Sequence, residues 1–160
     1  MEEEQRLNII DYYEEFDPNL INFIKCHLFV ENCMKQILDK TEKERATSEK
    51  FSGKVSQMLM YELIDQDMAS LLHKINKIRN NIAHDLYYKL TFDEVFTLVE
   101  ESAKLGIDYS DETIFNNKEL SKEFYGLEGL IRELFPNLFA HLIWLNENKF
   151  TQEEINSLMA

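Results

Sequence analysis

Apolar residues in this chain recur three and four positions apart almost from end to end, a period that commits it to helices. Leu20, Phe23, Ile24, His27, Leu28, Val30, Met34 and Ile37 follow it. So do Phe51, Val55, Met58, Leu59 and Leu63, and then Met68, Leu71, Leu72, Ile75, Ile78 and Ile82. With four glycines and two prolines in 160 residues, the chain lacks the turn chemistry of a β-sandwich or barrel. Hydrophobic residues, 44% of the total, suffice to close one core in a chain of this length.

The boundaries follow from local signals. Residues 2–16 read as an acidic amphipathic start. Asp17-Pro18 pairs a capping carboxylate with a proline at the first helical position, opening a helix that reaches about Lys40. The charged stretch Asp39 to Lys50 reads as a connection. Helices are then expected from Phe51 to about Leu63 and from about Met68 to Leu86. Thr91-Phe92-Asp93-Glu94 is a capping box, and Val95, Phe96, Leu98 and Val99 follow it. Residues 105–117, with Gly106 and several Asp and Asn, read as a loop. An aromatic-rich helical stretch over 118–148 is expected to be interrupted or kinked at Pro136, and Thr151-Gln152-Glu153-Glu154 caps a short last helix. The expectation is a single all-α bundle over residues 1–104, with a C-terminal helical extension over 105–160 packed on the same domain.

The longest stretch without a formal charge, Leu134 to Asn146, is too short and too polar to cross a bilayer. Met1-Glu2-Glu3-Glu4 is not the basic start of a signal peptide, and Cys26 and Cys33 lie roughly 10 Å apart along one helix, out of disulfide reach. Two unpaired thiols fit a reducing compartment, so a cytoplasmic protein without membrane contact is expected.

The balance of 17 Lys and Arg against 30 Asp and Glu gives a net charge of −13, which repels bulk nucleic acid unless the cations are concentrated. Between Leu71 and Leu90 stand Lys74, Lys77, Arg79 and Lys89 against Asp85 alone, so this segment carries +3 and the rest of the chain −16. Such a cluster is ordinarily a solvated helix face; the alternative is an anion-binding surface.

The same helix breaks its own pattern. With Ile75 as origin, Arg79 falls at about 40° on the helical wheel, inside the apolar stripe. A guanidinium cannot shed its charge, and an isolated buried charge costs several kcal/mol. Arg79 therefore requires a carboxylate such as Glu31, an outlet to solvent, or an anionic ligand. His73, Lys77, Asn80 and His84 form a polar line on the opposite face. Arg79, Asn80 and His84 together supply a cation, an amide and a group titrating near neutrality, the parts that metal-free phosphodiester cleavage requires. Arg79 and His84 point about 140° apart on an unbroken helix. They meet at one phosphate only if the helix ends or bends near His84, or if a second copy of the chain contributes.

The segment Lys77-Ile78-Arg79-Asn80-Asn81-Ile82-Ala83-His84 resembles the signature of HEPN domains, an Arg followed by Asn or another polar residue with a His five positions after the Arg. Phe51-Ser52-Gly53-Lys54-Val55, Leu63-Ile64-Asp65 and Leu71-Leu72-His73-Lys74-Ile75-Asn76 are similar to the HEPN-like branch that includes the mannitol operon repressors. The resemblance covers about Leu20 to Glu100. It implies a HEPN-like helical bundle that dimerises through the motif helix. In active members it implies a metal-independent endoribonuclease, often a toxin or an anti-phage effector. Carried over, Arg79 would stabilise the scissile phosphate, His84 would transfer protons and Asn80 would orient the phosphate; on the helix itself, the polar line through His73 and Lys77, with Asn81 beside it, would extend a substrate groove. Homodimerisation, an RNA substrate, and an antitoxin or other protein partner follow from the same resemblance. Leu86 stands where one toxin subgroup has Tyr, and Glu62 where mannitol-repressor-like chains often have Gly. Several HEPN members are regulators or scaffolds without nuclease activity, and this is the alternative expectation.

Other constellations carry less. Cys26, His27 and Glu31 lack the four-ligand spacing of a closed zinc site, so no metal is expected. No glycine-rich phosphate loop is present and no cofactor is expected. Cys33 reads as a small core residue, His141 as a packed histidine, and Phe124, Tyr125, Phe135, Phe139 and Trp144 as core.

Overall fold

The computed structural model describes residues 17–160. The amphipathic start expected at 2–16 lies outside the described residues. Among the described residues all regular structure is helical. The helices are α1 (Pro18–Asp39), α2 (Phe51–Met60), α3 (Gln66–His84), α4 (Phe92–Lys104), α5 (Thr113–Asn116), α6 (Lys118–Phe124), α7 (Gly126–Leu145) and α8 (Gln152–Met159), with a 3-10 turn at Glu147–Lys149.

Capping chemistry sets several starts. The Asp17 carboxylate accepts from Asn19 N at 2.9 Å, with Pro18 in the first turn. Asp65 accepts from Met68 N at 2.8 Å and begins α3. Thr91 and Glu94 form the expected reciprocal box at α4, and Thr151 with Glu154 repeats it at α8.

Phe23, Val30, Met34 and Ile37 of α1 face Leu130, Leu134, Leu138 and Leu142 of α7, all fully buried or nearly so in one cluster. The ring of Phe23 meets Phe135 edge-on at 5.1 Å. Helix α7 packs on α1 and α4, while α2 and α3 close the other side of α1. Residues 105–160 therefore contribute the long apolar spine of the bundle.

Four local expectations change. Segment 105–117 holds a helical turn, α5, tied down by Ser121 Oγ donating to Ile114 O at 2.7 Å and by Tyr125 OH donating to Asp111 at 2.6 Å. Pro136 does not interrupt α7. It sits on the exposed side while Leu134, Phe135, Leu138 and Phe139 bury the other face, and Asn137 Nδ2 donates to Glu133 O at 2.8 Å beside it. The break in the aromatic stretch falls at Gly126, whose φ of +61° is a left-handed conformation that glycine adopts without strain. Helix α3 ends at His84, so Leu86 leaves the apolar stripe and is exposed. Phe124 and Trp144 are also exposed, at 67% and 62%, whereas Phe135 and Phe139 are core. No described helix is long and apolar enough to cross a membrane.

Candidate functional site at the α1–α2–α3 corner

Three polar residues occupy core phases on three neighbouring helices. On α1, His27 stands between Phe23 and Val30 in the buried row and is 1% exposed. On α2, Lys54 stands between Phe51 and Val55–Met58 and is also buried. On α3, Arg79 follows Ile75 and Ile78 and is half-buried. Of the three, Arg79 alone stood out in the sequence as a charge inside the apolar stripe. The signal for all three was the same, a polar side chain in phase with the apolar stripe.

The two cations are treated differently. Lys54 Nζ donates to Glu31 Oε1 at 3.0 Å and to the Glu49 carbonyl at 2.8 Å. Glu31 is thus Lys54's partner, and among the described residues no carboxylate lies within ion-pair distance of Arg79. Arg79 Nη1 donates to Asn80 Oδ1 at 3.2 Å, and its Nε is buried with no hydrogen-bond partner among the described residues.

His27 completes the corner. Its Nε2 lies 3.1 Å from Asn76 Oδ1, its ring stacks on Phe51 with centroids 4.2 Å apart, and its Nδ1 is buried without a partner among the described residues. Burial pushes the imidazole below its ordinary value. The Asn76 bond and the Glu31 charge act against that shift, and the Arg79 charge adds to it. Burial thus disfavours the charged form of His27, which sits beside a permanent cation.

The remaining motif residues lie outward. His73, Lys77 and His84 are exposed, and Asn80 and Asn81 are half-buried. Lys74 is drawn to Glu101 at 2.6 Å. Because α3 is regular through His84, with Asp85 N donating to Asn81 O at 2.9 Å, Arg79 and His84 sit about 140° apart around one helix. A single protomer thus brings together Arg79, Asn80, Asn76 and His27 and leaves His84 on another side. Just beyond His84, Leu86 and Tyr87 are exposed, Tyr87 at 70%. Tyr88 OH instead bonds to Glu94, and burial, reinforced by that carboxylate, raises its phenol above the ordinary value.

Elsewhere, Cys33 is buried and its thiol is pushed up to about 12 by desolvation, an inert core group. His141 lies near Trp144, with centroids 5.5 Å apart. Among the described residues no three His, Cys, Asp or Glu side chains are grouped to hold a metal. Comparison with protein-family models, with curated proteins and with solved structures finds no match to this chain.

Proposed function

We propose that this chain is a HEPN-type, metal-independent endoribonuclease of a toxin–antitoxin or anti-phage system, acting as a homodimer. The observation that carries the reading is the unmatched guanidinium of Arg79. The fold supplies a carboxylate to Lys54 in the same corner and none of its described carboxylates to Arg79, which leaves a partly desolvated cation for an external anion. A phosphodiester answers that need through parallel N–H···O bonds.

In this scheme the RNA 2′-oxygen bonds to phosphorus and the bond to the 5′-oxygen breaks, leaving a cyclic phosphate and a 5′-hydroxyl. Arg79 stabilises the extra negative charge of the phosphorane, and Asn80 holds the guanidinium. His84 handles the protons, one copy accepting from the 2′-hydroxyl and the other donating to the leaving 5′-oxygen. A two-fold pairing of α3 is what could bring a His84 towards an Arg79, since one helix holds its own pair apart. The exposed Leu86 and Tyr87 beside His84 offer apolar surface for such a pairing. His73, Lys77 and Asn81 would extend the groove.

The separation of Arg79 from His84 on one regular helix, together with the −13 charge, favours a second reading. In that reading the chain is a non-catalytic, mannitol-operon-repressor-like regulator acting through protein contacts. Cleavage of a labelled cellular RNA mixture in EDTA decides between them, using wild type, His84→Ala and Arg79→Ala, each checked for folding. Activity lost in both variants, with cyclic-phosphate ends on the wild-type products, supports the nuclease. Wild-type cleavage no greater than the variants' background overturns it in favour of the regulator.

A further inference from the structure

Two buried polar atoms in the α1–α3 corner lack partners among the described residues, and they are complementary. Arg79 Nε carries a proton and has no acceptor. The His27 ring faces Asn76 Oδ1, which only accepts, so Nε2 must bear the imidazole proton and donate it. Nδ1 is then a lone-pair acceptor without a donor. Asn76, which meets the His27 ring at 3.1 Å, lies three positions before Arg79 on the same face of α3, so the two side chains share the α1–α3 contact. Each group is unfavourable when buried unmet, and one bridging water between them would satisfy both.

We infer that His27 is a positioning residue for Arg79: its Nδ1 accepts from the Nε–H edge of the guanidinium through one buried water and so fixes the plane that Arg79 presents to a phosphodiester. The inference rests on the reading of Arg79 as the phosphate-binding group. His27 is too buried to touch a substrate itself. The ring is held on both sides, by Phe51 stacked at 4.2 Å and by Asn76 at 3.1 Å, so its Nδ1 has a set direction. With Asn80 held at the Nη1 end, a water at the Nε edge would leave the guanidinium little freedom to rotate. A planar donor fork fixed before binding loses less entropy when it grips two phosphate oxygens.

Two substitutions separate positioning from mere packing, because each keeps one nitrogen's function. Glutamine reaches as far along the side chain as Nε2, so His27→Gln retains a donor for Asn76 and removes the Nδ1 acceptor. Asparagine branches at the atom that carries Nδ1, so His27→Asn retains an acceptor there and loses the bond to Asn76. The first readout is the Nε–H signal of Arg79 in proton–nitrogen spectra of the full chain without RNA, assigned by its loss in Arg79→Lys. In wild type it should be slowly exchanging, with His27 Nε2 protonated and Nδ1 not. His27→Gln should shift it and speed its exchange, and His27→Asn should preserve it. The second readout is the dissociation constant for a short single-stranded RNA, measured in a His84→Ala background that does not cleave. There His27→Gln should weaken binding about tenfold, and His27→Asn should stay within about twofold of the parent despite a lower melting temperature.

An Arg79 Nε–H signal indifferent to His27→Gln, or a protonated Nδ1 in wild type, overturns the inference. So does an affinity loss that follows melting temperature across both variants. If the His84→Ala parent binds no RNA, the phosphate reading of Arg79 fails, while the RNA-free spectra still decide whether His27 positions the guanidinium.

Discussion

Replacing Glu31 by glutamine should uncover a buried ammonium, and the size of the loss tests which cation Glu31 serves. The Lys54 side chain is 6% exposed and that of Glu31 23% exposed. Lys54 Nζ has two acceptors, Glu31 Oε1 at 3.0 Å and the Glu49 carbonyl at 2.8 Å. Breaking one side of a fully buried pair costs about 3–5 kcal/mol; with Glu31 partly open to water, about 2–3 kcal/mol is expected. For a chain of this length that lowers the melting temperature by about 5–10 °C. Far-ultraviolet circular dichroism through thermal and urea unfolding is the assay, because the sole tryptophan, Trp144, is too exposed to report on the core. Lys54→Met and Arg79→Met complete two double-mutant cycles with Glu31→Gln. The Glu31–Lys54 coupling should reach about 1.5–2 kcal/mol and the Glu31–Arg79 coupling stay under about 0.5 kcal/mol. A Glu31–Arg79 coupling equal to or above that of Glu31–Lys54 would refute the reasoning. Arg79 would then have its carboxylate, and its need for an external anion would vanish.

Two further outcomes follow from the same structure. His27 titrates below its ordinary value of 6.5 in the folded chain, so between those two values the unfolded chain binds more protons. Its contribution is complete above about pH 6.5 and is lost as pH falls through the lowered folded value; urea midpoints at about pH 7 and pH 5 should diverge in wild type and converge in His27→Phe, and equal pH slopes would contradict this. Gly53→Ala should destabilise by about 1–3 kcal/mol in urea titrations, because an added Cβ meets Ser48 Oγ at 2.0 Å and Ser48 Cβ at 2.7 Å, and Ser48→Gly in the same chain should restore most of the loss.

Local chemistry was readable from sequence because it is written within four residues. Asp17-Pro18 and the boxes at Thr91 and Thr151 each place donor and acceptor in one turn, and all three appear as expected. The interruption expected at Pro136 does not occur, because a proline's effect depends on which side of the helix it faces. Burial of Leu134, Phe135, Leu138 and Phe139 keeps α7 continuous past an exposed ring, while Gly126 turns the chain. Arg79's place in the apolar stripe was legible; its partner was not. Which carboxylate goes to which cation depends on how α1, α2 and α3 come together, with Glu31 and Lys54 twenty-three positions apart. His27 was legible as a polar residue in the row of Phe23 and Val30, yet its meaning arises only when Asn76 and Arg79 arrive from another helix.

The neighbours of Arg79 bear on why its charge stands open. Asn76 and Asn80 lie three positions before it and one after, on the α3 surface turned to α1 or beside it. A glutamate at position 76 would lie within reach of the guanidinium and could close an ion pair inside the helix. The amide present accepts a hydrogen bond without neutralising anything, and it is committed to His27 at 3.1 Å while its counterpart at 80 takes Nη1 at 3.2 Å. An arrangement serving stability alone gains by the carboxylate, as Lys54 does from Glu31 in the same corner. A neutral acceptor at Asn80 orients the guanidinium and leaves its charge to whatever arrives from outside. Asn76→Glu is the sharpest statement of that difference: if Arg79 serves an anion, pairing it internally stabilises the fold and abolishes the binding.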